Sequence, residues 1–329
     1  MPFRKLSRIH PDYYLRASWH DYTSRCYYMI TFNKSEEAPI FSEITVSIVN
    51  NNVSVFNNLN PIGKLIRQSI LDLPKSFTHV EICNYCVMPD HVHLVMFVRE
   101  KTDIHLGKIV RKLKSDSTRS YKNAYPDSQI ALDNLSLFHK GFNDKIVMKT
   151  GQLATFKRYV KDNPRRFLLK SRYNEFFTRS GRIKIGDKEF SIFGNFLLLR
   201  HPVRECVRVS SKFSEEEMLK RKRSWEEAIR GGGVLVSPFI SKEEKKIRDN
   251  GIERGASIIR IVENGFPERY KPEGKEFELC SEGRLLLIAP AEYNTRKESL
   301  RREVCLEMNS LAEFIATKEG AMSLLSKLA

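Results

Sequence analysis

Alternating and helically spaced apolar residues define the elements of the first half of the chain. Cys26–Phe32 is rich in aromatic and β-branched residues and predicts a strand. In Pro61–Leu71 the apolar residues recur at helical spacing, which predicts an amphipathic helix. Val80–Val87 and His91–Val98 are extended runs separated only by Met88-Pro89-Asp90, so we expect an antiparallel pair with a tight connection.

Two helices complete this half of the chain. Leu106–Tyr121 has an apolar stripe surrounded by lysine and arginine, and Gly151–Asn163 predicts a helix that stops before Pro164. Strands and helices therefore alternate through an α+β domain, to which we assign residues 1–178.

A different pattern begins near Arg182, where short, continuously apolar runs are separated by charged helical stretches. The predicted buried strands are Phe193–Leu199, Val234–Val236, Ile258–Val262 and Leu285–Ala289. The predicted helices are Ser214–Arg230, Ser241–Asn250 and Arg301–Lys318. This alternation is typical of a parallel sheet between helices, so residues 185–329 are predicted to form a Rossmann-like, three-layer α/β domain.

Composition and charge add a partner to this picture. The 329 residues carry a formal net charge of +16, and residues 101–200 contain 22 Lys and Arg against 9 Asp and Glu. A surplus of this size indicates a polyanionic partner. The six cysteines are scattered, and the Cys83–Cys86 pair lacks a second ligand pair, so we expect reduced thiols that pack in the core.

The expected location is the cytoplasm, without membrane contact. The sequence has no apolar stretch of transmembrane length, and the opening MPFRKLSRIHPDYY lacks the apolar core of a signal peptide.

The strongest chemical feature is Pro89-Asp-His-Val-His93. Alternate side chains of a strand share a face, so His91 and His93 can hold one metal ion while Val92 and Leu94 enter the opposite layer. The pattern also occurs in cupins and metal hydrolases, and two unrelated histidines remain an alternative.

Tyr159 and Asn163 are four residues apart on a predicted helix and share one of its faces. If this helix covers the face that carries His91 and His93, two imidazoles, an amide oxygen and a phenol meet at one site. A packing tyrosine with an ordinary asparagine near the helix end is the alternative.

Four motifs follow one another in a characteristic order: PDHVHLV, IVRKLKSDSTRSY, GFNDKIV and YVKDNP. Over about residues 8–175 the chain resembles the single-tyrosine HUH transposases, in particular the REP-associated tyrosine transposases. The resemblance implies a ferredoxin-like or RRM-like nuclease fold, with His91, His93 and Asn163 as metal ligands and Tyr159 as the nucleophile. It also implies a 5′-phosphotyrosine intermediate with a free 3′ hydroxyl, and single-stranded or hairpin DNA as the substrate.

The residues fit this chemistry. A free tyrosine has a pKa near 10, so only about one in a thousand is a phenolate at neutral pH. A divalent ion, Mg²⁺ or Mn²⁺, would polarise the phosphate and leave positions open for substrate. Tyr121 and Tyr173 are weaker candidates because Tyr125 and Phe177 occupy the positions where Tyr159 has Asn163.

Two clusters of basic residues are the predicted DNA contacts, and the two basic helices are expected to flank the metal centre. The clusters are Lys108, Arg111, Lys112, Lys114 and Arg119, and Lys157, Arg158, Lys161, Arg165 and Arg166. Phe138, Phe142 and Tyr121 are expected to stack on bases. A solvated charged face is the alternative.

In the second domain, a strand that opens through Ser237 and Ser241 into a helix predicts a possible ligand loop. This half is also similar to the Rossmann-like group of DNA-processing protein A and the lysine-decarboxylase-like proteins, which implies a nucleotide or single-stranded DNA ligand, or a scaffold.

The leading hypothesis is a metal-dependent single-stranded DNA endonuclease and strand transferase, acting in transposition or in the processing of palindromic repeats. One alternative is a domesticated DNA-binding protein without turnover, and another is a metal enzyme acting on a small molecule. The sequence leaves monomer and homodimer open.

Overall fold

A computed structural model describes residues 16–49, 52–268, 270–295 and 301–327. The opening segment, from which the absence of a signal peptide was predicted, lies outside the described residues. The chain divides into two compact units, Met1–Leu168 and Leu169–Ala329. None of the described helices combines the length and apolar character needed to span a membrane.

The first unit mixes strands and helices, as expected for an α+β domain, although they do not alternate one by one as predicted. In chain order they are β1 (Cys26–Asn33), β2 (Ser42–Val49), β3 (Asn52–Leu59), α1 (Pro61–Ser76), β4 (Val80–Val87), β5 (His91–Val98), α2 (Leu106–Ala124), α3 (Gln129–Leu132), β6 (Asn143–Ile146) and α4 (Gln152–Arg172). The main sheet has the order β4-β5-β1-β6, and all of its neighbouring strands are antiparallel. The α+β fold with an antiparallel sheet is therefore confirmed.

The two faces of this sheet are covered by different helices. Val92 and Leu94 of β5 join a large apolar cluster with α1 and α2. Val95 of the same strand belongs to a smaller cluster with Phe156 and Val160 of α4. Because successive side chains of a strand point to opposite faces, α2 and α4 pack on opposite sides of the sheet.

The prediction that a helix stops before Pro164 is wrong, since α4 continues to Arg172. Proline removes one helical hydrogen bond, but a helix can continue when the following turn is held by packing. Here Phe167 extends the buried stripe of Phe156 and Val160, which favours one more turn over termination.

The β2–β3 hairpin was not predicted. Its strands pair in register from Ser42 with Leu59 to Val49 with Asn52. Asn57 Nδ2 donates to the backbone oxygen of Val87 at 2.9 Å, and Ile44 packs on the α4 side of the main sheet. The hairpin is therefore fixed beside the connection that precedes His91.

The second unit is built on a mixed sheet of order β7-β8-β12-β11-β10-β9. Its strands are β7 (Arg179–Ile185), β8 (Lys188–Gly194), β9 (Arg204–Cys206), β10 (Val234–Ser237), β11 (Ser257–Ile261) and β12 (Leu285–Pro290). Its helices are α5 (Glu215–Arg230), α6 (Lys242–Glu253), α7 (Lys275–Ser281), α8 (Arg302–Ala316) and α9 (Lys318–Leu325).

The strands β10 to β12 are parallel, as predicted, and β9, which was not predicted, pairs in parallel with β10. The strands β7 and β8 are antiparallel additions at one edge. Phe193–Leu199 is not one strand, because β8 ends at Gly194 and Phe196–Arg200 forms a 3-10 turn. Gly194 has φ of 107°, a conformation that side chains rarely adopt, and the chain leaves the sheet there. Helices α5 to α7 cover one face and α8 and α9 the other. The Rossmann-like relationship itself stays a prediction.

Candidate active site and nucleic-acid interface

The two histidines of β5 converge as the alternation of the strand predicts. The Nε2 atoms of His91 and His93 lie 3.1 Å apart, and their rings meet edge to face with centroids 4.6 Å apart. His93 is only 5% exposed. The pair thus presents two imidazole nitrogens at one point on the α4 face of the sheet.

The opposite nitrogen of each ring is held by a protein oxygen. His91 Nδ1 lies 2.6 Å from Asp90 Oδ1, and His93 Nδ1 lies 2.8 Å from Thr31 Oγ1. The hydrogen bond from His91 is the main cause that lowers the pKa of the Asp90 carboxyl. Such outer contacts fix the orientation of both rings and direct the two Nε2 atoms to the same point.

Helix α4 brings the predicted nucleophile to this pair. The ring of Tyr159 lies 5.4 Å from that of His93, between centroids, at an interplanar angle of 75°. The Cζ atom of Arg166 lies 5.3 Å from the Tyr159 ring centroid, a distance suited to a cation–π contact. The helix is fixed to β4 by Asn84, whose Nδ2 donates to the backbone oxygen of Lys157 at 2.9 Å.

Asn163 occupies a position where α4 otherwise buries apolar residues. It follows Phe156 and Val160 on the buried stripe and is 6% exposed. This position places a polar amide in the layer between α4 and the sheet, among the apolar side chains of the same stripe.

The donor set suits a divalent metal ion. Within the described ranges, no group of three or more His, Cys, Asp or Glu side chains is placed to hold a metal. Two imidazoles and one amide oxygen form an incomplete ligand set that leaves positions for phosphate oxygens and water. The residues present therefore fit the metal that the motifs imply.

The alternative nucleophiles are placed differently. Tyr121 is 8% exposed and packs in the large cluster on the α2 side of the sheet, away from the histidine face. Tyr173 stacks on Phe176 within the second unit. Of the tyrosines that the sequence offered, only Tyr159 lies against His93 among the described ring contacts.

Most of the first basic cluster lines one groove. Lys108, Arg111, Lys114 and Arg119 of α2 face a cavity of about 1480 Å³, bounded on its other side by the segment 134–142. Lys112 lies outside the lining and pairs with Asp116 at 2.6 Å. The groove lies on the α2 side of the sheet, so the expectation that both basic helices flank the histidine pair is wrong.

The aromatic residues near the groove are packed rather than displayed. Phe138, Phe142 and Tyr121 are 3%, 6% and 8% exposed, so their predicted role in stacking on bases is wrong. They belong to the core cluster under α2, where burial of the rings stabilises the groove floor. Lys114 donates to the backbone oxygens of His139 and Gly141 and thereby holds the groove wall.

The second basic cluster lies on α4. Lys157, Arg158 and Lys161 are exposed. Arg165 Nε lies 3.5 Å from Asp162, and Arg166 covers Tyr159. These side chains share a helix with Tyr159, so α4 rather than α2 supplies positive charge beside the histidine pair.

The possible ligand loop of the second unit is filled by its own side chains. Ser237 is fully buried, and its hydroxyl accepts a hydrogen bond from the Phe239 N–H at 2.9 Å. Ser241 caps α6 and accepts from the Glu244 N–H. The buried Glu244 carboxylate accepts from the N–H groups of Val209, Ile240 and Ser241. The Ser237 and Ser241 hydroxyls thus bind backbone N–H groups of their own loop, and the ligand loop stays a prediction.

Thr31 and Asn84 were not recognised in the sequence. Thr31 faces His93 because β1 and β5 pair in that register. Asn84 follows a register shift in β4, and asparagine is disfavoured within strands. An asparagine within a predicted strand was the one local signal that Asn84 makes a contact outside its own strand, here with α4.

Residues 45–163 match the family model described as IS200-like transposase. An uncharacterized protein of Haemophilus influenzae is 22% identical over 176 residues, which are 47% of this chain and 89% of the relative. A structure titled as the REP-associated tyrosine transposase bound to a REP hairpin has a TM-score of 0.33 at 14% identity, covering 46% of this chain and 74% of that one. A candidate transposase from Deinococcus radiodurans has a TM-score of 0.28 at 14% identity, covering 45% and 95%. The resemblance inferred from the motifs is confirmed by the family match, whose segment contains both histidines, Tyr159 and Asn163.

Proposed function

We propose that this chain, whose residues 45–163 match the IS200-like transposases, is a DNA transposase that cuts and rejoins single strands with Tyr159. The observation that carries the proposal is the contact of the Tyr159 ring with His93, whose Nε2 meets that of His91. A phenol beside a pair of metal-type imidazoles suits metal-assisted attack of a tyrosine on a phosphodiester.

The residues proposed to hold the metal are His91, His93 and Asn163. A bound Mg²⁺ or Mn²⁺ would act as a Lewis acid on the scissile phosphate and stabilise its developing charge. Asp90 and Thr31 orient the two imidazoles, and the Arg166 guanidinium lies over the Tyr159 ring.

The proposed step exchanges one phosphoester for another. The phenolic oxygen of Tyr159 forms a bond to phosphorus while the bond from phosphorus to the 3′ oxygen breaks. The phenol loses its proton to solvent, and the departing 3′ oxygen takes one up. The resulting 5′-phosphotyrosine retains the ester, so attack by another 3′ hydroxyl joins two strands and restores the tyrosine without ATP.

The DNA is proposed to be single-stranded or hairpin DNA held by two surfaces. The exposed lysines and arginine of α4 would contact phosphates near the cleavage site, and the groove of α2 would hold a second part of the molecule. The expected host compartment is the cytoplasm, and the roles open to it are transposition and processing of palindromic repeats.

A covalent adduct tests the proposal directly. The full chain is incubated with hairpin oligonucleotides that carry single-stranded flanks, in Mg²⁺, Mn²⁺ or chelator, and resolved on denaturing gels. We expect a metal-dependent adduct that is absent from Tyr159→Phe and present in Tyr173→Phe. Tight DNA binding without an adduct in any metal would instead support the non-catalytic DNA-binding protein.

A further inference from the structure

We infer that Arg16 binds a DNA phosphate in the α2 groove and that Asp144 is the positioning residue that holds it there. Arg16 lines the groove together with Lys108, Arg111 and Lys114. It precedes the segment matched by the transposase family, so its role is a feature of this chain beyond that match. The inference rests on the proposed DNA-binding function of the groove.

One side of the Arg16 guanidinium is fixed by three contacts. Nη1 donates to Asp144 Oδ1 at 2.5 Å and to the backbone oxygen of Phe142 at 3.0 Å. The Cζ atom lies 3.7 Å from the centroid of the Phe142 ring, within stacking distance. A long side chain that usually samples many rotamers is therefore held in one orientation before DNA arrives, which lowers the entropic cost of binding.

The Asp144 carboxylate is itself fixed. It is 5% exposed, and its second oxygen, Oδ2, accepts a hydrogen bond from the Tyr22 hydroxyl at 2.9 Å. Burial raises the pKa of Tyr22 to about 12, so this hydroxyl remains a donor throughout the neutral range. Both carboxylate oxygens are thus engaged, and Asp144 is strongly restrained from swinging into the groove.

The other edge of the guanidinium is available for a ligand. Among the described residues, neither Nε nor Nη2 of Arg16 has a hydrogen-bond partner. These two nitrogens form the side-on fork that matches two oxygens of a phosphate. The residues described as lining the groove include no Asp or Glu, so the surroundings favour an anion.

The chemistry of this site selects a phosphate of a nucleic-acid backbone. Lys108 and Arg111 lie along the same groove, so the charges form a row rather than a single pocket. Proteins position nucleic-acid backbones with such rows of Arg and Lys. We therefore expect Arg16 to contribute to affinity for every DNA sequence and to contribute little to sequence preference.

The first test compares arginines that both stack on phenylalanine. Arg25, whose Cζ lies 5.1 Å from the Phe97 ring centroid, is exposed and is not among the groove-lining residues. Binding of a labelled DNA hairpin is measured in chelator over a range of salt concentrations. We expect Arg16→Met to weaken binding about tenfold and to reduce the log–log salt slope by about 0.9. Arg25→Met should change the affinity by less than about twofold and leave the salt slope unchanged.

The second test separates positioning from general stability. Asp144→Asn is measured alone and in the Arg16→Met background, with thermal unfolding recorded for each variant. We expect Asp144→Asn to weaken binding several-fold in the native background and to have no further effect once Arg16 is absent. An equal loss in both backgrounds would overturn the positioning role of Asp144.

Failure of this inference can be distinguished from failure of the proposed function. If the native chain binds the hairpin and Arg16→Met behaves like Arg25→Met, Arg16 makes no phosphate contact, while the adduct assay on Tyr159 is unaffected. If the native chain binds neither the hairpin nor a single strand, the DNA-binding role of the groove and this inference are both overturned.

Discussion

The two faces of the four-stranded sheet differ in how they use buried space. The α2 face packs a large, continuous apolar cluster and leaves its charged groups to the outside of the helix, where they line a groove. The α4 face has a small cluster and places His93, Asn163 and Tyr159 in the layer between sheet and helix. The α2 face is therefore filled by apolar side chains beneath a basic groove, whereas the α4 face has fewer apolar contacts and buries polar and aromatic side chains instead.

This difference predicts that chemistry and affinity can be removed separately. Alternate residues of β5 serve the two layers, His91 and His93 on one side and Val92 and Leu94 on the other. Since the layers share only the sheet, a change on the α4 face should leave the groove intact.

The largest effect is expected for His91→Ala. Loss of one of two imidazoles should lower the rate of adduct formation about 100-fold or more, because electrostatic stabilisation of the transition state is lost. Adduct formation with saturating hairpin and Mn²⁺ measures the effect. His139→Ala, which removes an exposed histidine on the groove, is the matched control and should retain activity. Weakened hairpin binding by His91→Ala in chelator would contradict the separation of the faces.

Replacement of Asn163 should affect adduct formation and stability in opposite ways. Asn163→Leu places an apolar residue on the buried stripe of α4, so we expect the free energy of unfolding to stay within about 1 kcal/mol of the native value or to rise. Adduct formation should fall about 50-fold because an oxygen ligand is lost.

Asn163→Asp is the matched control, because it keeps a side-chain oxygen and should retain metal-dependent activity. Unfolding in urea and the adduct assay are measured on the same preparations. Full activity of Asn163→Leu would exclude the amide as a metal ligand.

The groove should show the reverse behaviour. Replacement of both Lys108 and Arg111 by Gln should weaken hairpin binding roughly 30-fold and reduce the salt slope by about 1.8, as expected for two lost phosphate contacts. The adduct rate at saturating DNA should stay near the native value. Lys222→Gln with Arg223→Gln on α5 changes the net charge equally on exposed positions of the second unit. If the Lys222→Gln, Arg223→Gln variant weakened hairpin binding equally, the effect of the groove substitutions would come from net charge and not from phosphate contacts in the groove.

Most elements, and the shared faces on which the candidate site residues lie, could be predicted because they depend on local periodicity. Alternation in His91–Val98 places both histidines on one face, and the spacing of Tyr159 and Asn163 places them on one side of a helix. The end of α4 could not be predicted in this way, because the contact of Phe167 that continues the helix beyond Pro164 is tertiary.

The face of the sheet that each helix covers could not be predicted from the sequence either, because it depends on tertiary contacts. Periodicity identifies the buried stripe of α2, but it does not say which face of the sheet the stripe covers. The register that joins Thr31 to His93 and the bond from Asn84 to α4 likewise arise only when separate elements meet. The charge of Lys114 was the reason to predict a phosphate contact. How far its side chain is buried depends on its contacts with the segment 134–142, which the sequence does not show.

The smallest effect is expected at Lys114, a half-buried lysine among the residues that line the groove. Burial lowers the pKa of the Lys114 ammonium to about 8, below the usual value for lysine of about 10.4. Between these values the unfolded chain holds more protons than the folded chain, so the free energy of unfolding contributed by Lys114 rises with pH across this window and is lowest below about pH 8.

Lys114→Met removes this dependence, and urea unfolding of both proteins at pH 7 and at pH 9.5 measures the difference. The difference in the free energy of unfolding between the native chain and Lys114→Met should increase with pH. At pH 7 the variant should still bind hairpin DNA more weakly, because the ammonium that holds the oxygens of His139 and Gly141 also shapes the groove wall. A difference in the free energy of unfolding that falls with rising pH would contradict the prediction. It would show that the two carbonyl contacts raise the pKa of Lys114 by more than burial lowers it.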